Sequence, residues 1–224
     1  MHKPIRFLLL LLPLISLFNC NSTEKNKKQA PVKTTSEVIT KKTNLLTDIT
    51  PIFKDGDVNA VIEIPAGTVD KWELDKTTGE VKWEMVNNKP RVVNYIGYPG
   101  NYGMIPQTLL DKKHGGDGDP LDIIVLGPPA ERGTQLKSKI IGVLYLSDGG
   151  EQDDKLIAVS SNSTLYQVNS IEELNSEFQG ITTIIDIWFT NYKGPGKLNS
   201  NGFGDKTEAT KILNDALKQY KVQR

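Results

Sequence analysis

Three carboxylates fall within six positions in Asp117-Gly118-Asp119-Pro120-Leu121-Asp122, and an apolar run from Ile123 to Leu126 follows at once. Gly118 and Pro120 rule out an ordinary helix there. Like charges held a few ångströms apart push each other toward protonation. Hard divalent cations placed among them keep all three ionised, and oxygen-only ligands favour Mg²⁺, Mn²⁺ or Ca²⁺ over zinc. The plain alternative is a solvated acidic turn ahead of a strand, which only the rest of the chain can exclude.

The first residues read as a leader. His2, Lys3 and Arg6 precede a twelve-residue apolar stretch, Phe7 to Phe18, interrupted by Pro13 and Ser16. At about 1.5 Å per residue it is too short for a bilayer core of about 30 Å, so it is expected to be the core of an export signal. It ends at Cys20, the only cysteine in the chain. Leu17-Phe18-Asn19-Cys20 resembles the lipobox of bacterial lipoproteins, with Asn19 bulkier than the usual small residue. The expectation is a signal peptide over 1–20, lipidation at Cys20, and a periplasmic-side lipoprotein, or a cytoplasmic protein if the signal is not used. Residues 21–46 are polar with few large apolar side chains, which suits a flexible tether.

Residues 47–224 remain, enough for one domain with a substantial core. The formal net charge of zero conceals an asymmetry. Eight basic and two acidic residues lie in 1–46, which leaves 19 basic against 25 acidic in the domain, a net of minus six. Nucleic-acid binders usually show the opposite sign, and no basic aromatic stripe is present.

Strands are expected at Val58–Ile64, Val69–Leu74, Val81–Val86, Ile123–Leu126, Ile140–Leu146 and Leu156–Val159. Asp75 to Gly79 supplies hairpin-turn chemistry between the second and third. Two late helices are expected. Ser170 and Glu173 form a capping box ahead of one, and Ala209, Ile212, Leu213, Ala216, Leu217 and Tyr220 line one face of the other. Short strands followed by helices predict a mainly β α+β domain built on a small five-stranded OB-like barrel with additional strands.

Further motifs accompany the acidic cluster: Ile62-Glu63-Ile64-Pro65, Lys71-Trp72-Glu73-Leu74-Asp75, Tyr98-Pro99-Gly100-Asn101-Tyr102-Gly103, Asp148 with Asp153-Asp154-Lys155-Leu156, and Tyr192-Lys193. In this order and near this spacing they resemble the soluble inorganic pyrophosphatases of the Mg²⁺-dependent, barrel-type family, over roughly Ala60 to Lys218. The resemblance implies metal ligation by Asp117, Asp122 and Asp153, with Asp148 and Glu73 holding further ions. It implies a general base at Asp119 and phosphate contacts from Lys71, Arg91, Tyr102, Lys155, Tyr192 and Lys193, with Glu63 and Tyr98 in support. It also implies several Mg²⁺ ions per site, with Mn²⁺ as a substitute, inorganic pyrophosphate as substrate, no covalent intermediate, and a homo-oligomer, a hexamer by analogy with bacterial members. Two departures stand out: Gly149 replaces a usually acidic residue, and the connection before Asp117 is longer, adding Lys112 and Lys113.

These residue types suit that chemistry on their own terms. A pyrophosphate carries three to four negative charges, which an all-carboxylate pocket repels until divalent ions invert the field. Arg91 can offer paired donors, and the lysines act as point charges. The competing expectation is an exported metal-binding barrel that serves as a surface interaction protein without turnover.

Overall fold

The computed structural model describes residues 42–223. The leader, Cys20 and most of the tether lie outside the described residues. Among the described residues no helix is long and apolar enough to cross a membrane. Within these residues eleven strands and three α-helices follow one another: β1 Val58–Ile64, β2 Trp72–Asp75, β3 Glu80–Trp83, β4 Met85–Val86, β5 Lys89–Pro90, β6 Asn101–Met104, β7 Asp122–Leu126, β8 Gln135–Asp148, β9 Glu151–Gln152, β10 Lys155–Ser160, α1 Ile171–Glu177, α2 Ile181–Asn191, β11 Leu198–Gly204 and α3 Lys206–Val222.

The expected five-stranded closed barrel is corrected. The strands form a seven-stranded sheet on the path β1-β6-β7-β10-β8-β11, with β9 on β8, and the path ends on β11 at an edge. Strand β8 is 14 residues long. Its first four residues reach β1, and the remainder takes β10 and then β11. The sheet therefore curls until β8 reaches β1, but it continues past β8 into β11, which pairs with no further strand among the described residues. Sequence reading missed β6 and β11 because neither has a β-forming composition: Asn101-Tyr-Gly-Met is short, and Leu198–Gly204 is rich in Asn, Ser and Gly. Gly103 shows why β6 is nevertheless a strand. A Cβ there would lie 1.9 Å from the carbonyl oxygen of Val61, so only glycine allows β6 to pair with β1.

Period-two alternation divides the core between the faces of the sheet. Ile123 and Val125 of β7, with Leu156 and Ala158 of β10, pack toward Ala209, Leu213 and Ala216 of α3. Ile124, Leu126, Ile157 and Val159 pack toward Leu174 of α1 and Ile185, Trp188 and Phe189 of α2. Helix α2 is an addition to the two expected helices. Its Ile181-Thr-Thr-Ile-Ile opening is β-branched and has no side-chain N-cap, so local preference argues against it. Burial of Trp188 and Phe189 overrides that preference.

At α1 only half of the expected capping box forms. The Ser170 side chain accepts from the Glu173 amide, but Glu173 reaches back to the amide of Asn169. The complete box is at Asp205 and Glu208, ahead of α3.

Candidate active site

One pairing in the sheet explains how residues more than thirty positions apart meet. β7 and β10 run parallel with Leu156 beside Ile123, so Asp122 and Lys155 stand together where both strands begin. The Lys155 ammonium donates to Asp122 at 2.5 Å and also to Asp153. β6 crosses antiparallel to β7, and the Tyr102 hydroxyl donates to the same Asp122 oxygen at 2.5 Å. The backbone amide of Asp119 donates to Asp117 at 2.9 Å, folding the acidic turn on itself.

A second group comes from the hairpin of β2 and β3. Trp72 pairs with Trp83, which sets Lys71 across from Glu84. Glu84 N–H donates to Lys71 O at 2.9 Å, and Lys71 N–H donates to Arg91 O at 3.1 Å. The small β4–β5 hairpin joins Glu84 to Arg91, and one guanidinium nitrogen of Arg91 donates to both Glu84 oxygens at 2.8 and 2.9 Å.

The two groups face each other across a cavity of about 460 Å³. It is lined by every residue selected from the sequence except Tyr98 and the undescribed Cys20: Glu63, Lys71, Glu73, Arg91, Tyr102, Asp117, Asp119, Asp122, Asp148, Asp153, Lys155, Tyr192 and Lys193. Tyr98 lies behind the wall. It is buried between Trp188, at 4.3 Å between ring centroids, and Tyr102, at 5.3 Å. Trp188 in turn stacks on Tyr192 at 4.7 Å and 12°. This aromatic column fixes the directions of both pocket tyrosines.

Sequence reading missed two charged lining residues. Glu84 was discoverable, because the hairpin register alone places it opposite Lys71. Lys76, in the hairpin turn, had no comparable signal; it donates to Gly118 O at 3.1 Å and pairs with Asp119.

Burial and neighbouring charge set the electrostatics. Burial raises the Asp117 pKa, and Asp119 and Asp122 raise it further. Burial also raises Asp153, opposed by Lys155, and raises Glu73, opposed by Lys71. Glu63 is pushed up to about 8, mainly by burial. Burial works against the charge on Lys155, yet Asp122 and Asp153 more than offset it and hold its pKa above the usual lysine value. Lys193 is raised in the same way by its bond to Asp148.

The donor chemistry fits a hard divalent cation: Asp117, Asp122 and Asp153 offer only oxygens, and the raised pKa values of Asp117 and Asp153 mark a place where added positive charge is favourable. Among the described residues, however, no three acidic, histidine or cysteine side chains converge in a metal-binding arrangement. Asp122 and Asp153 share the Lys155 ammonium, so a cation between them competes with that lysine.

The Gly149 departure has a backbone cause. Asp148 pairs with Glu151, and both intervening residues have positive φ, 59° at Gly149 and 96° at Gly150. A two-residue turn of that kind strongly prefers glycine over an acidic residue.

Comparison with known proteins agrees with this geometry. Residues 60–221 match the family model described as inorganic pyrophosphatase. The chain belongs to the inorganic pyrophosphatase family. An inorganic pyrophosphatase of Campylobacter jejuni is 36% identical over 177 residues, covering 75% of this chain and 97% of that protein. A type I inorganic pyrophosphatase from Toxoplasma gondii superposes with a TM-score of 0.77 at 25% identity, covering 81% of this chain and 88% of the other. A truncated vacuolar soluble pyrophosphatase from Trypanosoma cruzi, solved in complex with PPi, gives a TM-score of 0.75 at 26% identity, covering 80% and 78%. The pyrophosphatase match spans both groups of pocket residues, from the β2–β3 hairpin through Tyr192 and Lys193.

Proposed function

We infer that this chain is an inorganic diphosphatase that hydrolyses pyrophosphate to two orthophosphates with Mg²⁺. The observation that carries the reading is a single cavity in which an oxygen-only acidic cluster faces Lys71, Arg91, Lys155, Tyr192 and Lys193. We further propose that Asp117, Asp122 and Asp153 hold the activating ions, with Asp148 and Glu73 serving others, and that Mn²⁺ can substitute. When bound, these ions supply Lewis acidity and offset the charge of the substrate.

The protein's own groups then act as follows. Asp119, at the open mouth, accepts a proton from the attacking water. Arg91, Lys71 and Lys193 hold phosphoryl oxygens by charge-assisted bonds, while the Tyr102 and Tyr192 hydroxyls donate without adding charge. Lys155 keeps its ammonium aimed into the site and stabilises charge that spreads over the phosphoryl oxygens as the P–O bond breaks. Water attacks in line, and no covalent phospho-enzyme forms. His114 does not compete for a nucleophilic role, since it lines a different cavity beside α3.

The test is phosphate release from pyrophosphate with Mg²⁺ and after chelation. Asp117→Asn and Asp119→Asn should each lower kcat by about tenfold or more at saturating Mg²⁺. A smaller loss sinks the role assigned to that residue.

A homo-oligomer, with a hexamer as the expected form, is supported by the exposed side chains of Ile184 and Ile187 on α2 and of Ile96, which Trp188 ties to α2; sedimentation measures it. Placement on the periplasmic side of a membrane, or in the cytoplasm if the leader is not used, rests on residues 1–20 alone. An intact-mass measurement of the mature N-terminus tests that placement.

A further inference from the structure

Part of the active-site wall stands on a hairpin that shares no ladder with the main sheet. β2 and β3 pair only with each other. They carry or flank Lys71, Glu73, Lys76 and Glu84, while Tyr102, Asp122 and Lys155 stand on the main sheet. A bond from Leu74 N–H to the buried Glu63 of β1, at 2.7 Å, links the two halves from inside.

A short segment ahead of β1 links them from outside. Leu45 N–H donates to the carbonyl of Gly79, at the end of the hairpin turn, at 2.9 Å. The Asn44 side chain lies so close to Gly79 that a Cβ there would meet it at 2.1–2.4 Å. Asn44 Oδ1 accepts from the amides of Leu46 and Thr47, both at 3.0 Å, which folds the segment into a tight turn. Leu46, 9% exposed, packs with Val61 of β1, Leu74 of β2 and Met104 of β6. Leu74 and Met104 are themselves walls of the active-site cavity. On the far side, Leu46 O accepts from Gln107 N–H at 3.0 Å, and the Gln107 side chain reaches Thr47 O and Ile49 O.

We propose that residues 44–46 are a positioning strap, with Leu46 its anchor, that holds the β2–β3 hairpin where Lys71 and Glu73 meet the carboxylates of the main sheet. None of the three lines the cavity; they act through Leu74 and the hairpin turn. Composition assigns these residues to the tether, so the last residues of the tether become part of the machinery that sets the active site. The catalytic consequence rests on the diphosphatase reading, whereas the mechanical one does not.

Leu46→Ala in the full chain is the test, with Leu213→Ala as the control. Leu213 is likewise buried, on α3, in a separate core cluster none of whose members lines the active-site cavity. Steady-state phosphate release is measured well below each melting temperature, alongside hydrogen exchange of the β2–β3 amides. Leu46→Ala should raise KM for pyrophosphate by about threefold or more and speed exchange at Leu74 by about tenfold. Leu213→Ala should lower stability without either change, and Leu46→Met should restore both. Asn44→Ala, which keeps the buried leucine, is the second variant and should move both readouts in the same direction.

The proposal is overturned if Leu46→Ala and Leu213→Ala match in KM and in hairpin exchange. If the unmodified protein releases no phosphate, the diphosphatase reading falls, and the exchange comparison alone decides the strap.

Discussion

Burial governs Glu63 more than any partner does. The residue is 5% exposed and its carboxyl accepts one backbone bond, from Leu74, so its charged form is poorly solvated. The sign of the effect on stability follows from the raised pKa. Between the ordinary value near 4.5 and the folded value of about 8, the native state binds more protons than the unfolded chain. Stability from this group is full at low pH and is lost as pH rises through about 8. Glu63→Gln keeps an acceptor for Leu74 and cannot ionise, so it should not share that loss. The difference in melting temperature between Glu63→Gln and the unmodified protein should widen from pH 5 to 8 and level off beyond, as calorimetry in chelator would show. Parallel curves would mean that Lys71 already neutralises the site. Glu63 stands in a recognisable motif, but its burial is not legible in the sequence, because an acidic residue on an alternating strand ordinarily faces water.

At the scale of elements, the parts that sequence reading missed are those whose packing overrides local preference. Helix α2 opens with β-branched residues and a glycine N-cap, yet Trp188 on it is 1% exposed and stacks directly on Tyr192. Trp188→Ala should therefore cost about 3–5 kcal/mol of stability. Because it also frees the Tyr192 ring, it should raise KM for pyrophosphate at temperatures where the variant remains folded. Unchanged KM would show that Tyr192 is held by its own helix rather than by the column. Strand β6 gives the converse case. Gly103→Ala brings a methyl against the Val61 carbonyl and forces β1 and β6 apart. The loss should exceed 1 kcal/mol, and it should appear in denaturant unfolding as a lower midpoint with little change in slope.

For the whole molecule, the sequence named nearly every charged residue of the cavity, but it could not say how they are brought together. Motif order identifies Asp122 and Lys155; only the parallel β7–β10 register places them side by side. The closed barrel failed for a related reason, since counting apolar runs omits strands built from Asn, Ser and Gly such as β11. The assembled cavity also sets function against stability. Asp117 is half-buried beside Asp119 and Asp122, and its raised pKa means that its charged form destabilises the fold near neutral pH. Asp117→Asn removes that charge and keeps an acceptor for the Asp119 amide, so in chelator it should melt at a higher temperature than the unmodified protein. Added Mg²⁺ should reverse the order. Selective binding to the native state at 100 times Kd contributes about 2.7 kcal/mol, roughly 5–10 °C for a domain of this size. The unmodified protein should gain that shift and Asp117→Asn little of it. Scanning calorimetry of both proteins, with and without Mg²⁺, decides the matter: equal shifts would remove Asp117 from the metal ligands, whereas crossed curves would show a carboxylate kept at the expense of stability for the charge it offers a cation.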